Sequence, residues 1–277
     1  MQLFVNNANT RSLLHDFLDP KQRPMALLES VIGFFADRNV EDKYLIKEYK
    51  VIYSILVFYI LFVKWIGPAL MKNYKSMDLR YTIRVYNFGQ VIFNAIILIQ
   101  LVTFGARIWP HRCQILYNPN YPVFFRDASR IIWHIFLIKL SDLLDTVFFV
   151  LRKKNRQITI LHVFHHAGMV LLFHTGISTI NIGYYILVCI CINTFIHSIM
   201  YFYYFLAAFG PEMQKYLWWK RYLTQMQIFQ FIVVLVYMTW AFITGCEQMA
   251  PFELSIYIFT LLILLLFVNF YFKSFRK

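Results

Sequence analysis

Apolar residues come in long blocks along this chain rather than alternating with polar ones. Seven blocks, near 46–68, 83–106, 130–151, 159–179, 182–208, 222–245 and 252–272, approach or exceed the roughly 20 residues that span a bilayer as a helix. A backbone in lipid must satisfy its own hydrogen bonds, so each block predicts a helix and not a strand. The pattern therefore predicts an all-α membrane protein of about seven transmembrane helices. It divides the chain into an N-terminal segment, 1–45, a seven-helix domain, 46–272, and a short basic tail, 273–277. The first 40 residues mix Asn, Asp, Arg and Pro with short apolar pieces and contain no continuous signal-peptide core.

Composition agrees: 60% of the 277 residues are hydrophobic, 19% aromatic and 15% charged, against about a quarter charged in soluble domains. The net charge of +13 would suggest nucleic acid in a soluble protein. Here the basic residues gather at helix ends, where they anchor the chain and set its topology, so no nucleic-acid partner is expected. Lys72, Lys75 and Arg80 follow the first block, Arg152, Lys153, Lys154 and Arg156 the third, Lys215, Lys220 and Arg221 the fifth, and Lys273, Arg276 and Lys277 the last. On the other side, the fourth-to-fifth and sixth-to-seventh turns carry no Lys or Arg, and the second-to-third carries only Arg107, Arg112 and Arg126. The positive-inside rule puts the C-terminus in the cytosol and, with seven spans, the N-terminus in the lumen. The N-terminal Arg11, Lys21, Arg23, Arg38 and Lys43 run against that rule. Cys113 and Cys246 fall in turns on the same non-cytosolic side. In an oxidising lumen they can form a disulfide; two free thiols are the alternative.

Polar residues inside apolar helices are costly and mark candidate sites. His162, His165 and His166, in the sequence HVFHH, lie at i, i+3 and i+4 and share one helical face. The third block carries Lys139, Asp142 and Asp145 in KLSDLLDT; an internal Lys139–Asp142 salt bridge one turn apart, holding the helix against its neighbours, would be the structural reading. Asn193, His197, Tyr201 and Tyr204 form a stripe on the fifth block. Thr224, Gln227 and Gln230 share about a third of the sixth helix, where amides either join helices or bind a ligand. By the topology above, all four motifs fall at similar depth in the cytosolic half, as a site open to a charged cytosolic ligand requires. His134 and His174 lie away from them and read as structural.

Three chemistries compete. A di-iron histidine-box desaturase or hydroxylase uses HxxHH, but needs about eight histidines in three boxes, and His15, His111, His134, His174 and His197 make no second box. A seven-span lipid transporter suits buried Lys and Asp, but leaves the adjacent imidazoles without a purpose. A membrane acyltransferase would use His as nucleophile and base and the basic turn for CoA phosphates.

The motifs resemble those of the very-long-chain fatty acid elongase family, the 3-ketoacyl-CoA synthases of the endoplasmic reticulum. The resemblance rests on LRKKNRQITILHVFHH, on NTFIHSIMYFYY (193–204), on TQMQIFQ (224–230), on KLSDLLDT and on YNFGQVIFN (86–94). It covers nearly everything after residue 45, with Asp142 standing where the family pattern has Glu. It implies a multi-pass protein of the endoplasmic reticulum membrane whose helices enclose an acyl-chain tunnel. The implied substrates are acyl-CoA and malonyl-CoA, with no metal or other cofactor. The implied partners, beyond the bilayer, are a second copy of the chain and the other enzymes of the elongation cycle. By the motif match, His165 is the nucleophile, with His162 and His166 orienting or deprotonating it. His197, Asn193 and Gln227 are donors to an enolate, and Lys139, Asp142 and Asp145 organise the histidines. Tyr201, Tyr204 and Gln230 complete the expected site, and Lys153 and Lys154 are the expected CoA-phosphate ligands.

Overall fold

The computed structural model describes residues 43–113, 122–179, 184–246 and 250–275, with the side chains of 122–126 and 179 left aside. Most of the 1–45 segment, including Arg11, His15, Lys21, Arg23 and Arg38, and the end of the 273–277 tail, Arg276 and Lys277, lie outside the described residues.

Among the described residues, eight longer helices carry the fold: α1 (Tyr49–Met71), α2 (Arg80–Ile108), α3 (Pro122–Ser141), α4 (Leu143–Leu151), α5 (Ile160–Thr179), α6 (Tyr184–Ala207), α7 (Lys220–Ile243) and α8 (Pro251–Phe275). No strand occurs among the described residues. Six of these helices, α1, α2 and α5 to α8, are long and apolar enough to cross a membrane. The protein is therefore an all-α, multi-pass membrane protein.

The block expected over 130–151 departs from a single continuous span. It is two helices, broken at Asp142. At the break the Asp145 N–H bonds the Asp142 carbonyl at 3.2 Å, three residues back, rather than the Ser141 carbonyl four back. Arg130, Lys139, Asp142 and Asp145 make this segment more charged than its neighbours.

α2 and α6 pack along each other, α7 lies against α6 and α8, and α3 against α5. α1 contains a π-helical turn, Phe62–Ile66, a device that shifts the phase of a helix and often sits near functional sites. Directly after it, Gly67 meets α4 so closely that an added Cβ would lie 2.7 Å from Val150 Cγ1. Of the described spans, α8 is the outermost, burying Glu253, Thr260 and Ile263 and leaving much of its apolar surface to lipid.

One end of the bundle is tied covalently. Cys113, beyond α2, and Cys246, beyond α7, are joined in a disulfide with their Cα atoms 4.5 Å apart. Nearby, the Tyr184 hydroxyl of α6 donates to the Gly105 carbonyl of α2 at 3.2 Å. The other end carries the histidines.

Candidate active site

The histidine helix begins on a side-chain cap: the His162 N–H donates to Thr159 Oγ1 at 3.2 Å, satisfying one of the donors that a helix start leaves without a partner. From there the HVFHH spacing turns its imidazoles inward. The His162 and His166 rings are 4.3 Å apart between centroids, and His165 and His166 are 5.5 Å apart. His197 of α6 faces His165, the ring centroids 6.3 Å apart and the planes 25° from parallel. The four imidazoles therefore form one cluster contributed by two helices. Nδ1 of His165 and Nε2 of His162 are buried and take no hydrogen-bond partner among the described residues.

His165 also lines a cavity between α3, α5, α6, α7 and α8 that encloses about 910 Å³, counting its opening. Its polar lining is confined to a few groups: His165, Asn193 and Gln230 stand toward the histidine end, and Thr260 on α8. The rest is apolar, including Met169, Ile190, Phe231, Val234 and Phe259, down to Tyr185, Gly176 and Phe252. From His165 to Gly176 the α5 backbone rises about 16 Å, so the cavity is deep as well as apolar. Cys189 lines it too and is a free thiol.

Behind the imidazoles lies a buried ionic cluster. Lys139 Nζ is 3.3 Å from His197 Nδ1 and 3.6 Å from Asp142 Oδ2. An ammonium only donates, so Nδ1 of His197 accepts and the neutral ring carries its proton on Nε2. The Tyr201 hydroxyl lies 2.8 Å from Asp142 Oδ1 and 2.9 Å from Asp145 Oδ2. The Lys139 and Asp142 side chains are at most 4% exposed. Their association offsets the loss of water around both, as a buried ion pair requires. The helix break between α3 and α4 sits in the middle of this cluster.

Most of the expected site residues converge: His162, His165, His166, His197, Lys139, Asp142, Asp145, Tyr201, Asn193 and Gln230. Three stand apart. Tyr204 is 41% exposed and packs its ring on Tyr201 and Tyr203. Gln227 donates to Met200 Sδ at 3.4 Å and does not line the cavity. Lys153, at a positive φ of 54°, donates from Nζ to the Lys72 carbonyl at 3.1 Å, and Lys154 is exposed beside it. The two helical-face histidines read as structural are buried away from the cluster, and His174 Nε2 is 3.1 Å from the Leu45 carbonyl. Among the described residues no group of three or more His, Cys, Asp or Glu is arranged to hold a metal ion.

Other polar residues join the site without having been singled out for it. Tyr59 of α1 bonds Thr146 Oγ1 at 2.7 Å. Gln90 of α2 reaches Ser141 Oγ at 2.8 Å, and Tyr86 reaches the Ser141 carbonyl at 3.2 Å. The YNFGQVIFN motif contains the last two. For Tyr59 the sequence holds no signal beyond a tyrosine inside an apolar run.

With that geometry in place, the comparisons with known proteins are specific. Residues 44–277 match the family described as ELO: GNS1/SUR4 family. Very long chain fatty acid elongase 4 of Homo sapiens is 38% identical over 244 residues, which is 87% of this chain and 76% of the relative. Very long chain fatty acid elongase 7 of Rattus norvegicus is 37% identical over 245 residues, 87% and 86% of the two chains. Very long chain fatty acid elongase 1 of Mus musculus is 34% identical over 259 residues, 90% and 92% of the two.

Proposed function

The chain belongs to the ELO (GNS1/SUR4) family, and we propose that it acts as a very-long-chain 3-ketoacyl-CoA synthase, a fatty acid elongase. It condenses a long-chain acyl-CoA with malonyl-CoA and releases CoA, carbon dioxide and a 3-ketoacyl-CoA two carbons longer. The observation that carries this reading is one histidine, His165, standing at the polar end of a deep apolar cavity. An acyl chain fills the apolar length and leaves its thioester at the imidazole.

The steps follow from that placement. A nitrogen of His165 attacks the thioester carbonyl, the C–S bond breaks, and CoA leaves as the thiol with the imidazole proton. The acyl-imidazole waits in a pocket lined by apolar side chains. Malonyl-CoA then loses carbon dioxide, its α-carbon attacks the acyl carbonyl, the C–N bond breaks and the departing imidazole nitrogen takes up a proton from solvent. The Nε2–H that the Lys139 contact assigns to His197 is a fixed donor for negative charge developing on oxygen in either step, and Asn193 and Gln230 are further donors at the cavity wall. His162 and His166 orient His165 or move its proton.

The remaining assignments belong to the same reading. Seven spans, with α3 and α4 together making the third, put the N-terminus in the lumen and the histidine end at the cytosol, where CoA esters arrive. The endoplasmic reticulum membrane is the compartment, and a second copy and the other enzymes of the cycle are the partners. No cofactor beyond the two CoA substrates is required. Lys153 and Lys154 contribute positive charge for CoA phosphates. Replacing both by Ala should raise KM for malonyl-CoA severalfold, most at low salt; an unchanged KM assigns them to topology alone. The whole reading is tested by incubating purified protein with labelled malonyl-CoA and acyl-CoAs of varied length. Labelled 3-ketoacyl-CoA two carbons longer is expected. Movement of acyl-CoA across a proteoliposome membrane with no new C–C bond would instead support a transporter.

A further inference from the structure

The break between α3 and α4 is held from two sides by residues that touch neither the histidines nor the cavity. Because the Asp145 N–H turns to the Asp142 carbonyl, the Ser141 carbonyl loses its regular helical partner. In lipid that group must be satisfied by protein. The Tyr86 hydroxyl of α2 supplies the bond at 3.2 Å. Gln90 donates both amide protons, to Ser141 Oγ at 2.8 Å and to Tyr86 Oη at 3.1 Å. Ser141 in turn donates its hydroxyl proton to the Ile138 carbonyl at 2.7 Å. Asn94 fixes Gln90 from behind, donating to its carbonyl at 2.8 Å and lying 3.4 Å from its Oε1. On the far side of the break, Tyr59 of α1 bonds Thr146 at 2.7 Å. The two attachments, at Ser141 and Thr146, bracket Asp142 and Asp145.

We propose that Tyr86, Gln90 and Tyr59 form a clamp that sets the helix break and so positions the acid pair for the histidine cluster. Two routes join the clamp to the histidines: it holds Ser141 and Thr146, which flank Asp142 and Asp145 in the chain, and the Tyr86 hydroxyl also lies against Tyr201 and Asp145. The acids in turn meet Tyr201 and Lys139, and Lys139 meets His197. Both carboxylates reach one hydroxyl, which has a single proton to give. That arrangement holds only while α4 keeps its offset from α3. Slackening the break lets Asp142 or Asp145 leave Tyr201 and frees Lys139 to move away from His197. The three clamp residues are positioning residues, since none contacts the reacting atoms. The motif YNFGQVIFN, with Tyr86 and Gln90 at one turn's spacing, thereby acquires a role in catalysis.

The proposal rests on the condensing activity proposed above and is tested with it. Purified Tyr86→Phe and Tyr59→Phe each lose one hydroxyl and keep the ring, including the contacts of Tyr86 with Phe148 and Tyr201. Each is compared with the wild-type protein in the labelled malonyl-CoA assay. A displacement of about 1 Å at a catalytic group can cost on the order of 10²-fold, so kcat is expected to fall about 10–100-fold with KM for acyl-CoA within twofold. Thermal unfolding in detergent should fall by the modest amount expected for one lost buried hydrogen bond, far less than the loss in kcat. In a Tyr201→Phe background, where the acid pair has lost its common partner, adding Tyr86→Phe should cost almost nothing further. Unchanged kcat in either folded variant overturns the clamp. So does a full additional loss in the Tyr201→Phe background, which would mark Tyr86 as generally structural. If one variant fails to fold, the other decides, because the two attack the break from opposite sides. Absence of product from the wild-type protein would count against the elongase reading and not against the clamp.

Discussion

The two ends of this bundle solve the same problem, stability inside lipid, by opposite means. The histidine end holds a connected buried polar cluster: four imidazoles, a lysine, two aspartates and the tyrosines and amides that hold them. At the disulfide end the cavity wall is apolar, closed by Tyr185, Phe252 and Ile186, with Glu253 and His134 buried as separate polar groups, and a covalent bond fastens two loops. A buried polar cluster fixes geometry but fails sharply when one member is removed, because each lost partner leaves a desolvated group behind. An apolar wall tolerates change gradually, as volume is gained or lost. The difference suits the chemistry, since the reacting atoms need fixed directions whereas an acyl chain needs only space.

Substitutions at the two ends should separate these behaviours, and the largest effect is expected at the proposed nucleophile. His165→Ala should reduce condensation by on the order of 10³-fold or more while leaving membrane insertion and unfolding temperature near wild type. Residual turnover within tenfold of wild type would remove His165 from its role. Next comes Lys139→Met, which strands Asp142 without its cation. Breaking a buried ion pair by removing one partner costs about 3–5 kcal/mol, so the variant should unfold at markedly lower temperature in detergent. Adding Asp142→Leu should recover part of that loss; no recovery would mean the pair does not act as a pair.

At the other end the balance reverses. Cys113→Ser with Cys246→Ser opens a cross-link over a sequence separation of 133 residues. It should lower stability by about 2–5 kcal/mol, with turnover at low temperature changed less than twofold. A large loss of turnover without loss of stability would mean that the disulfide end shapes the chemistry directly. The smallest effect is expected at Gly176, where an added Cβ would stand 3.2 Å from Phe252 Cζ. Gly176→Val should push that ring into the cavity and lower activity on the longest acyl-CoAs severalfold, leaving shorter ones unaffected. Equal losses at all chain lengths, read from a product profile, would contradict that placement of the closed end.

Much of the bundle was legible in the sequence because lipid imposes a plain pattern. The apolar blocks match six helices within a few residues at most ends, and HVFHH, KLSDLLDT and NTFIHSIMYFYY bring their polar groups together as helical spacing predicts. The break at Asp142 was not legible. Nothing in the run from Arg130 to Leu151 resembles a stop signal: it contains no Gly and no Pro. The cause is tertiary, a carbonyl and a hydroxyl captured by Tyr86 and Gln90 on another helix. The same limit explains Tyr204 and Gln227. Spacing put both on the right face, but Tyr204 sits at the edge of the cluster, its ring part exposed and packed on Tyr201, and Gln227 is held by Met200. The cavity walls Phe252 and Phe259 could not be found either, since a phenylalanine in an apolar span gives no sign of which neighbour it faces. Gly168 and Gly176 admit these rings to α5, and only the packed structure pairs each glycine with its aromatic partner.

In the proposed reaction an imidazole, His165, carries the acyl group between the two half-reactions. The most direct measurement is mass spectrometry of protein incubated with a long-chain acyl-CoA in the absence of malonyl-CoA, digested and read peptide by peptide. An acyl mass is expected on the peptide containing His165, with stoichiometric release of CoA and disappearance of that mass with formation of 3-ketoacyl-CoA when malonyl-CoA is added. Product formed with no acylated intermediate, or an acyl mass on Cys189 or another residue that is discharged at the catalytic rate, would contradict it.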